Sequence, residues 1–264
     1  MKKIKVLFSF ALLALLMLLP INGAFAQENS LNSKFDGEVE AEETGYLDQP
    51  SDYIKPANAH TLKASRNTST TLKEAYLYTN EKGEEVAVTT LRVSQADKGK
   101  SYDISINPAT NEYEVKESLD FSQAPIISPL TNYNYTIGAT YTTNDPVLVA
   151  LTQSRHELTW GGNDTDAWKV SRNATAWAAN PSSLGTHWYI VKNEYEGYVD
   201  GGKYINSSSY HSYYNTDFGS NDKRTDVWHR VNIRGYNDGY ADVTAEKGAS
   251  GEGSSLLSFK LKTY

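Results

Sequence analysis

Beyond residue 60 the chain alternates apolar and polar side chains in short runs broken by glycine, proline and asparagine, and this two-residue period predicts β-strands throughout. Residues 74–88 give the first clear hairpin. A three-residue loop, Glu81-Lys82-Gly83, sets Tyr78 opposite Val86 and Tyr76 opposite Val88 on one face, with Thr79 facing Glu85 on the other. A two-residue loop would set Glu81 against Glu84, a like-charge pair, so the longer loop is favoured. Residues 102–106 and 112–116 then flank the turn Pro108-Ala109-Thr110-Asn111. Pairing Asn107 with Glu112 brings Ile106 to Tyr113, Ile104 to Val115 and Asp103 to Lys116. Residues 61–121 are therefore expected to form a small antiparallel meander domain.

Pro125 and Pro129 mark a junction, and the composition changes after it. All five tryptophans and 13 of the 19 tyrosines follow. Strands are expected at 133–141, 147–153, 167–172, 186–192, 227–236, 240–246 and 256–262, without an amphipathic helical period. That spacing predicts an all-β fold in which residues 130–264 build an aromatic-rich β-sandwich or open barrel. The hairpin over 227–246 is the best determined. Asn237-Asp238-Gly239 fits a three-residue loop with glycine at its left-handed position. Tyr236 then faces Tyr240, Arg234 faces Asp242, Asn232 faces Thr244 and Arg230 faces Glu246. On the other side Ile233 meets Val243 and Val231 meets Ala245, which makes that side the core.

The first 60 residues read differently. Lys2, Lys3 and Lys5 precede an apolar stretch, and Ala24-Phe25-Ala26 supplies small residues at a cleavage site. This order predicts a signal peptide over 1–26, cleavage after Ala26, and a secreted, extracellular protein with no membrane anchor in the mature form. Residues 27–60 hold eight acids against Lys34 and Lys55 and are expected as an acidic flexible segment, with a propeptide as the alternative. Loss of the three signal lysines leaves 22 bases against 32 acids, a net charge of −10. Such a charge argues against nucleic acid as partner and disfavours anionic membranes.

Composition narrows the chemistry. The chain has no cysteine, which excludes disulfides, thiolate metal sites and a thiol nucleophile. Gly248-Ala249-Ser250-Gly251-Glu252 resembles a nucleophile elbow but lacks its last glycine and is expected to be a turn. His156-Glu157 opens like a zinc-protease helix, but Trp160 stands where the second histidine belongs. Asn163-Asp164-Thr165-Asp166 has carboxylate spacing for calcium without the tight-turn glycine or closing glutamate. His156, His187, His211 and His229 carry no motif spacing. His229 falls in phase with Val231 and Ile233, so a hydrogen-bonded core histidine is the expectation. No metal and no cofactor is expected.

What remains is aromatic density. Trp228, Arg230, Asn232, Arg234 and Tyr236 stand in one row on the outer face of the hairpin, with Tyr240 beside them, and these six are the candidate ligand-binding residues. Tyr210, Tyr213 and Tyr214 form a second cluster around His211. Flat rings with polar edges suit glycans. The leading expectation is a secreted, non-enzymatic protein binding an extracellular ligand or surface, with a polysaccharide or cell-wall component as the natural choice. One alternative is a secreted glycan-active hydrolase, for which no catalytic residue stands out. Another is a secreted toxin or matrix protein that assembles through sheet edges.

Overall fold

Two β-sheets pack face to face, their long strands presenting apolar side chains inward. The computed structural model describes residues 39–40, 55–97, 100–107, 109–119, 134–179, 187–199, 202–217 and 224–264. The expected signal peptide, most of the acidic segment and the junction at 122–132 lie outside the described residues. The strands are β1 (Val39–Glu40), β2 (His60–Thr61), β3 (Lys63–Ala64), β4 (Glu74–Thr79), β5 (Glu85–Val93), β6 (Lys100–Asn107), β7 (Glu112–Leu119), β8 (Asn134–Asn144), β9 (Ala150–Gly162), β10 (Ala167–Ala178), β11 (Trp188–Val199), β12 (Tyr204–Asn215), β13 (Thr225–Tyr236), β14 (Ala241–Gly251) and β15 (Ser258–Thr263). One sheet has the order β1-β10-β9-β8-β15-β6-β7-β3 and the other β11-β12-β13-β14-β5-β4-β2. The pairings are antiparallel except β3 with β7. The protein is thus all-β, with the two layers of a sandwich. Among the described residues no helix is long and apolar enough to cross a membrane.

The three hairpin registers follow the side-chain pattern. Tyr78 pairs with Val86 and Tyr76 with Val88. Ile106 pairs with Tyr113, Ile104 with Val115 and Asp103 with Lys116. Arg234 pairs with Asp242, Asn232 with Thr244, Arg230 with Glu246 and Ile233 with Val243, while the Tyr236 amide donates to the Tyr240 carbonyl at 2.8 Å. Gly83 (φ 79°) and Gly239 (φ 85°) sit in the left-handed region that these loops require and that a β-carbon disfavours.

Four expectations need correcting. The 61–121 segment forms its two expected hairpins, but they lie in different sheets, so it is neither one meander nor a separate domain. β5 pairs with β14, and β6 pairs with β15, so its strands continue both sheets. An antiparallel pair leaves an unsatisfied ladder on each outer edge, and here later strands fill it. Residues 39–40 and 55–60 are attached to the sheets. β1 pairs with β10, β2 pairs with β4, and the Asn58 amide donates to the Thr79 carbonyl at 2.8 Å. Residues 248–251 extend strand β14 instead of turning. Residues 147–149, expected to open a strand, form the tight turn between β8 and β9.

The interior is layered. Ile137, Leu158, Trp160, Ile205, Val231, Ile233 and Val243 belong to one fully buried apolar cluster, and Leu151, Ala176, Trp188, Tyr213 and Val227 to a second. Strands β9, β10, β12 and β13 contribute to both clusters, with polar residues between their positions. His156, His211, His229, Ser154, Ser207 and Ser209 are all completely buried. The two-residue period explains this layer: on β12 the inward positions run Ile205, Ser207, Ser209, His211 and Tyr213.

Candidate binding face

The sheet containing β13 has one face in the core. Its other face is turned away from the second sheet, and there Tyr76, Val86 and Val88 form a third buried cluster with Ala59, Tyr78 and Trp228 packed against it. Strand pleating places Trp228, Arg230, Asn232, Arg234 and Tyr236 there, as the sequence indicates, and cross-strand pairing builds rows around them. One row reads Tyr210, Arg230, Glu246, Val88 and Tyr76 across β12, β13, β14, β5 and β4. The next reads Ser208, Asn232, Thr244, Thr90 and Glu74. Tyr240 stands at the hairpin end, where it is exposed.

Aromatic rings are distributed along this face in three pairs. Tyr204 and Tyr236 lie at one end, with centroids 6.4 Å apart. Tyr210 stacks on Trp228 in the middle at 5.9 Å, and Tyr189 stacks on Tyr214 at the other end at 5.0 Å. Trp228 lies flat because Gly248 faces it on β14: a β-carbon at that position would collide with the indole ring. The second expected cluster is divided by the pleat. Tyr210 and Tyr214 point outward, whereas Tyr213 and His211 are buried.

Charges interleave with the rings. Arg230 bridges Glu196 and Glu246: its Nη2 donates to Glu196 Oε1 at 2.9 Å and its Nη1 to Glu246 Oε2 at 2.6 Å. The guanidinium also sits 5.6 Å from the Tyr210 centroid and 5.8 Å from that of Trp228, within range of the ring quadrupoles. The register places Arg234 opposite Asp242, but their side chains diverge. Arg234 lies over Tyr204 at 4.7 Å. Asp242 is instead bonded to Lys73, to Arg92 Nε at 2.9 Å and to the Tyr236 hydroxyl at 2.6 Å. Burial pushes the Asp242 carboxyl up, but those three donors outweigh it and hold the group below its ordinary value. Glu84 follows the same logic: burial raises it, and hydrogen bonds from Asn80, Trp228 and Ser250 bring it below.

A cleft of about 300 Å³ opens on this face, lined by Lys73, Glu74, Val88, Thr90, Asn232, Arg234, Asp242 and Thr244. Asn232 is almost wholly buried, and its Oδ1 has no hydrogen-bond partner. Two of the six candidate residues, Asn232 and Arg234, line the cleft. Trp228, Arg230 and Tyr236 lie beside it on the same strand. Lys73, Glu74, Val88 and Thr90 were not among the expected residues. They arrive through the pairing of β14 with β5, about which a local pattern carries no signal.

The histidines are placed elsewhere. His229 Nε2 is hydrogen-bonded to Thr143 Oγ1 and its Nδ1 to Ser154 Oγ, each at 2.8 Å. His156 Nε2 is bonded to Ser207 Oγ at 3.1 Å, and His211 Nε2 to Ser209 Oγ at 3.0 Å. Burial, with His211 and Arg172 nearby, pushes His156 down to about 3, and burial alone does the same to His211. His187 lies outside this group, with its Nδ1 2.8 Å from Asp217. Among the described residues no group of three or more histidines and carboxylates is placed to hold a metal ion. The Asn163–Asp166 segment closes on itself, the Thr165 and Asp166 amides donating to Asn163 Oδ1 at 2.9 and 2.8 Å.

No protein-family model, no curated protein and no solved structure matches this chain.

Proposed function

We propose that this is an exported protein that binds an extended extracellular polymer, a polysaccharide or cell-wall component, along the outer face of β12, β13 and β14, without catalysing its cleavage. The observation that carries the reading is the line of three aromatic pairs. It follows β12 from Tyr204 to Tyr214 on the sheet face turned away from the second sheet. Eleven strand positions span roughly 33 Å, longer than a single small ligand needs and suited to a repeating chain. Rings of this kind offer apolar faces to sugar rings, and the Arg230, Asn232 and Arg234 side chains between them offer donors and acceptors for hydroxyls. The hydrolase alternative receives less support, because glycosidic cleavage needs a carboxylic acid that keeps its proton. Asp242 and Glu84 are held in the ionised form by their partners.

Sedimentation with insoluble glycans and purified cell-wall preparations tests this. The protein should pellet with at least one of them, and soluble oligosaccharides of that glycan should compete better as they lengthen. Tyr210→Ala and Tyr214→Ala, each with an unchanged melting temperature, should weaken retention by about tenfold, since each stacked ring contributes on the order of 1 kcal/mol or more. Failure to pellet with any preparation, or equal retention of both variants, would sink the reading.

A further inference from the structure

At one end of the sandwich, the turn from β8 to β9 exposes an aliphatic tip. Pro146, Val147, Leu148 and Val149 follow one another, with Val147 76% and Leu148 75% exposed. Pairing of Ser258 with Asn144 brings the start of β15 alongside, and with it Leu256, which is 56% exposed. Leu148 has φ 65°, a left-handed conformation that asparagine or glycine adopts far more readily than leucine. A residue with an exposed branched side chain thus occupies a position that favours neither its backbone nor its exposure.

The turn is also sealed. The Val147 and Val149 amides donate to Asp145 Oδ1 at 2.9 and 2.8 Å. The Leu148 amide donates to the Asp145 carbonyl, and the Asp145 amide to the Val149 carbonyl, each at 3.0 Å. Pro146 has no amide hydrogen. Every backbone donor from 145 to 149 is therefore satisfied within the turn, which lowers the cost of entering a medium poor in hydrogen-bond partners. It also leaves no donors for strand addition by a peptide. Protein contacts of high energy favour tryptophan, tyrosine and arginine, and the tip offers none of these. The charge within the turn, Asp145, is acidic and opposes an anionic surface.

We infer that the Val147-Leu148-Val149 tip, with Leu256, docks into the interfacial region of a lipid bilayer with zwitterionic headgroups. The insertion is shallow and reversible, as few residues take part. It is independent of the glycan-binding face, which belongs to the other sheet.

The test is sedimentation with sucrose-loaded phosphatidylcholine vesicles, compared with vesicles that also contain phosphatidylserine. Wild-type protein should pellet with the first and less with the second. Leu148→Asn relieves the backbone and removes the apolar side chain. It should melt at the same or a higher temperature while its bound fraction falls about tenfold or more, in line with the apolar surface withdrawn from the bilayer. Wild-type protein that stays in the supernatant with both vesicles would overturn the inference. So would equal binding by Leu148→Asn, or binding that requires phosphatidylserine. Self-association of the wild type that Leu148→Asn abolishes, without vesicle binding, would assign the tip to a second copy of the chain instead.

Discussion

Asp242 shows how one side chain can organise several strands. Its carboxylate is almost wholly buried, yet it holds Lys73, Arg92 and the hydroxyl of Tyr236, which come from three different parts of the chain. The two cations are half exposed, so each pair taken alone contributes little. Removing the shared acceptor breaks three hydrogen bonds at once. Asp242→Ala is therefore expected to cost about 2 kcal/mol in denaturant unfolding, more than either Lys73→Ala or Arg92→Ala. A cost below that of the single cation variants would show that the donors find water equally well. Reading from sequence, Arg234 was the natural partner of Asp242, because they oppose each other in the hairpin. The competing cations, Arg92 and Lys73, come from 150 and 169 positions earlier and could not be anticipated.

Among the strands, the legible elements are those with a turn that fixes register. Gly83 and Gly239 each demand one loop length, and once that is set every pair in β4–β5 and β13–β14 follows by counting. β12 was missed for an equally physical reason. Its inward positions hold serines and a histidine where aliphatic residues normally mark a strand, so its period is present but its contrast is not. Residues 147–149 failed in the opposite sense, since three consecutive aliphatics read as a buried strand although Asp145-Pro146 starts a turn there. The candidate face was half legible: β13 and β14 could be laid out, whereas the neighbours supplied by β5 and β11 depend on strand order. The β13–β14 hairpin yields a direct check. Arg230 and Glu246 are both paired, and Glu246 is nearly fully buried. Arg230→Glu and Glu246→Arg should each destabilise by about 1–3 kcal/mol, and the double exchange should recover part of the loss in a double-mutant cycle. Additive losses would mean that no coupling passes between the two positions.

At the scale of the whole molecule, the buried imidazoles govern the response to acid. His156, His211 and His229 all sit below their ordinary value in the fold, and burial is the first cause. The groups facing them include Arg172 and Lys247, cations that add to the same effect. Lys247 itself, whose ammonium lies 3.5 Å from the Phe259 centroid, is pushed down to about 7 by burial, against a weaker opposing pull from Glu85. A group with a lowered folded value binds its proton more readily when unfolded. Stability from the histidines is thus complete above about pH 6.5 and falls as the pH drops toward 3. Three such protons correspond to about 4 kcal/mol per pH unit, so unfolding is expected near about pH 4–5. Melting temperatures should rise steeply from pH 5 to 7 and continue upward toward pH 9 as Lys247 loses its proton. A flat profile from pH 5 to 7 would contradict this account. The strand order has one more consequence, which is a matter of time. Both joins of the strands between Glu74 and Leu119 to the later strands, β14 with β5 and β15 with β6, are made by the last two strands of the chain. Arg92 and its partner Asp242 are 150 residues apart, which at ordinary rates of synthesis is a delay of about 8–30 s. For that interval β5 and β6 lack these partners and each keeps one edge open. Charges on those two strands, Glu85 and Arg92 on β5 and Lys100 and Asp103 on β6, disfavour pairing of one waiting edge with the other.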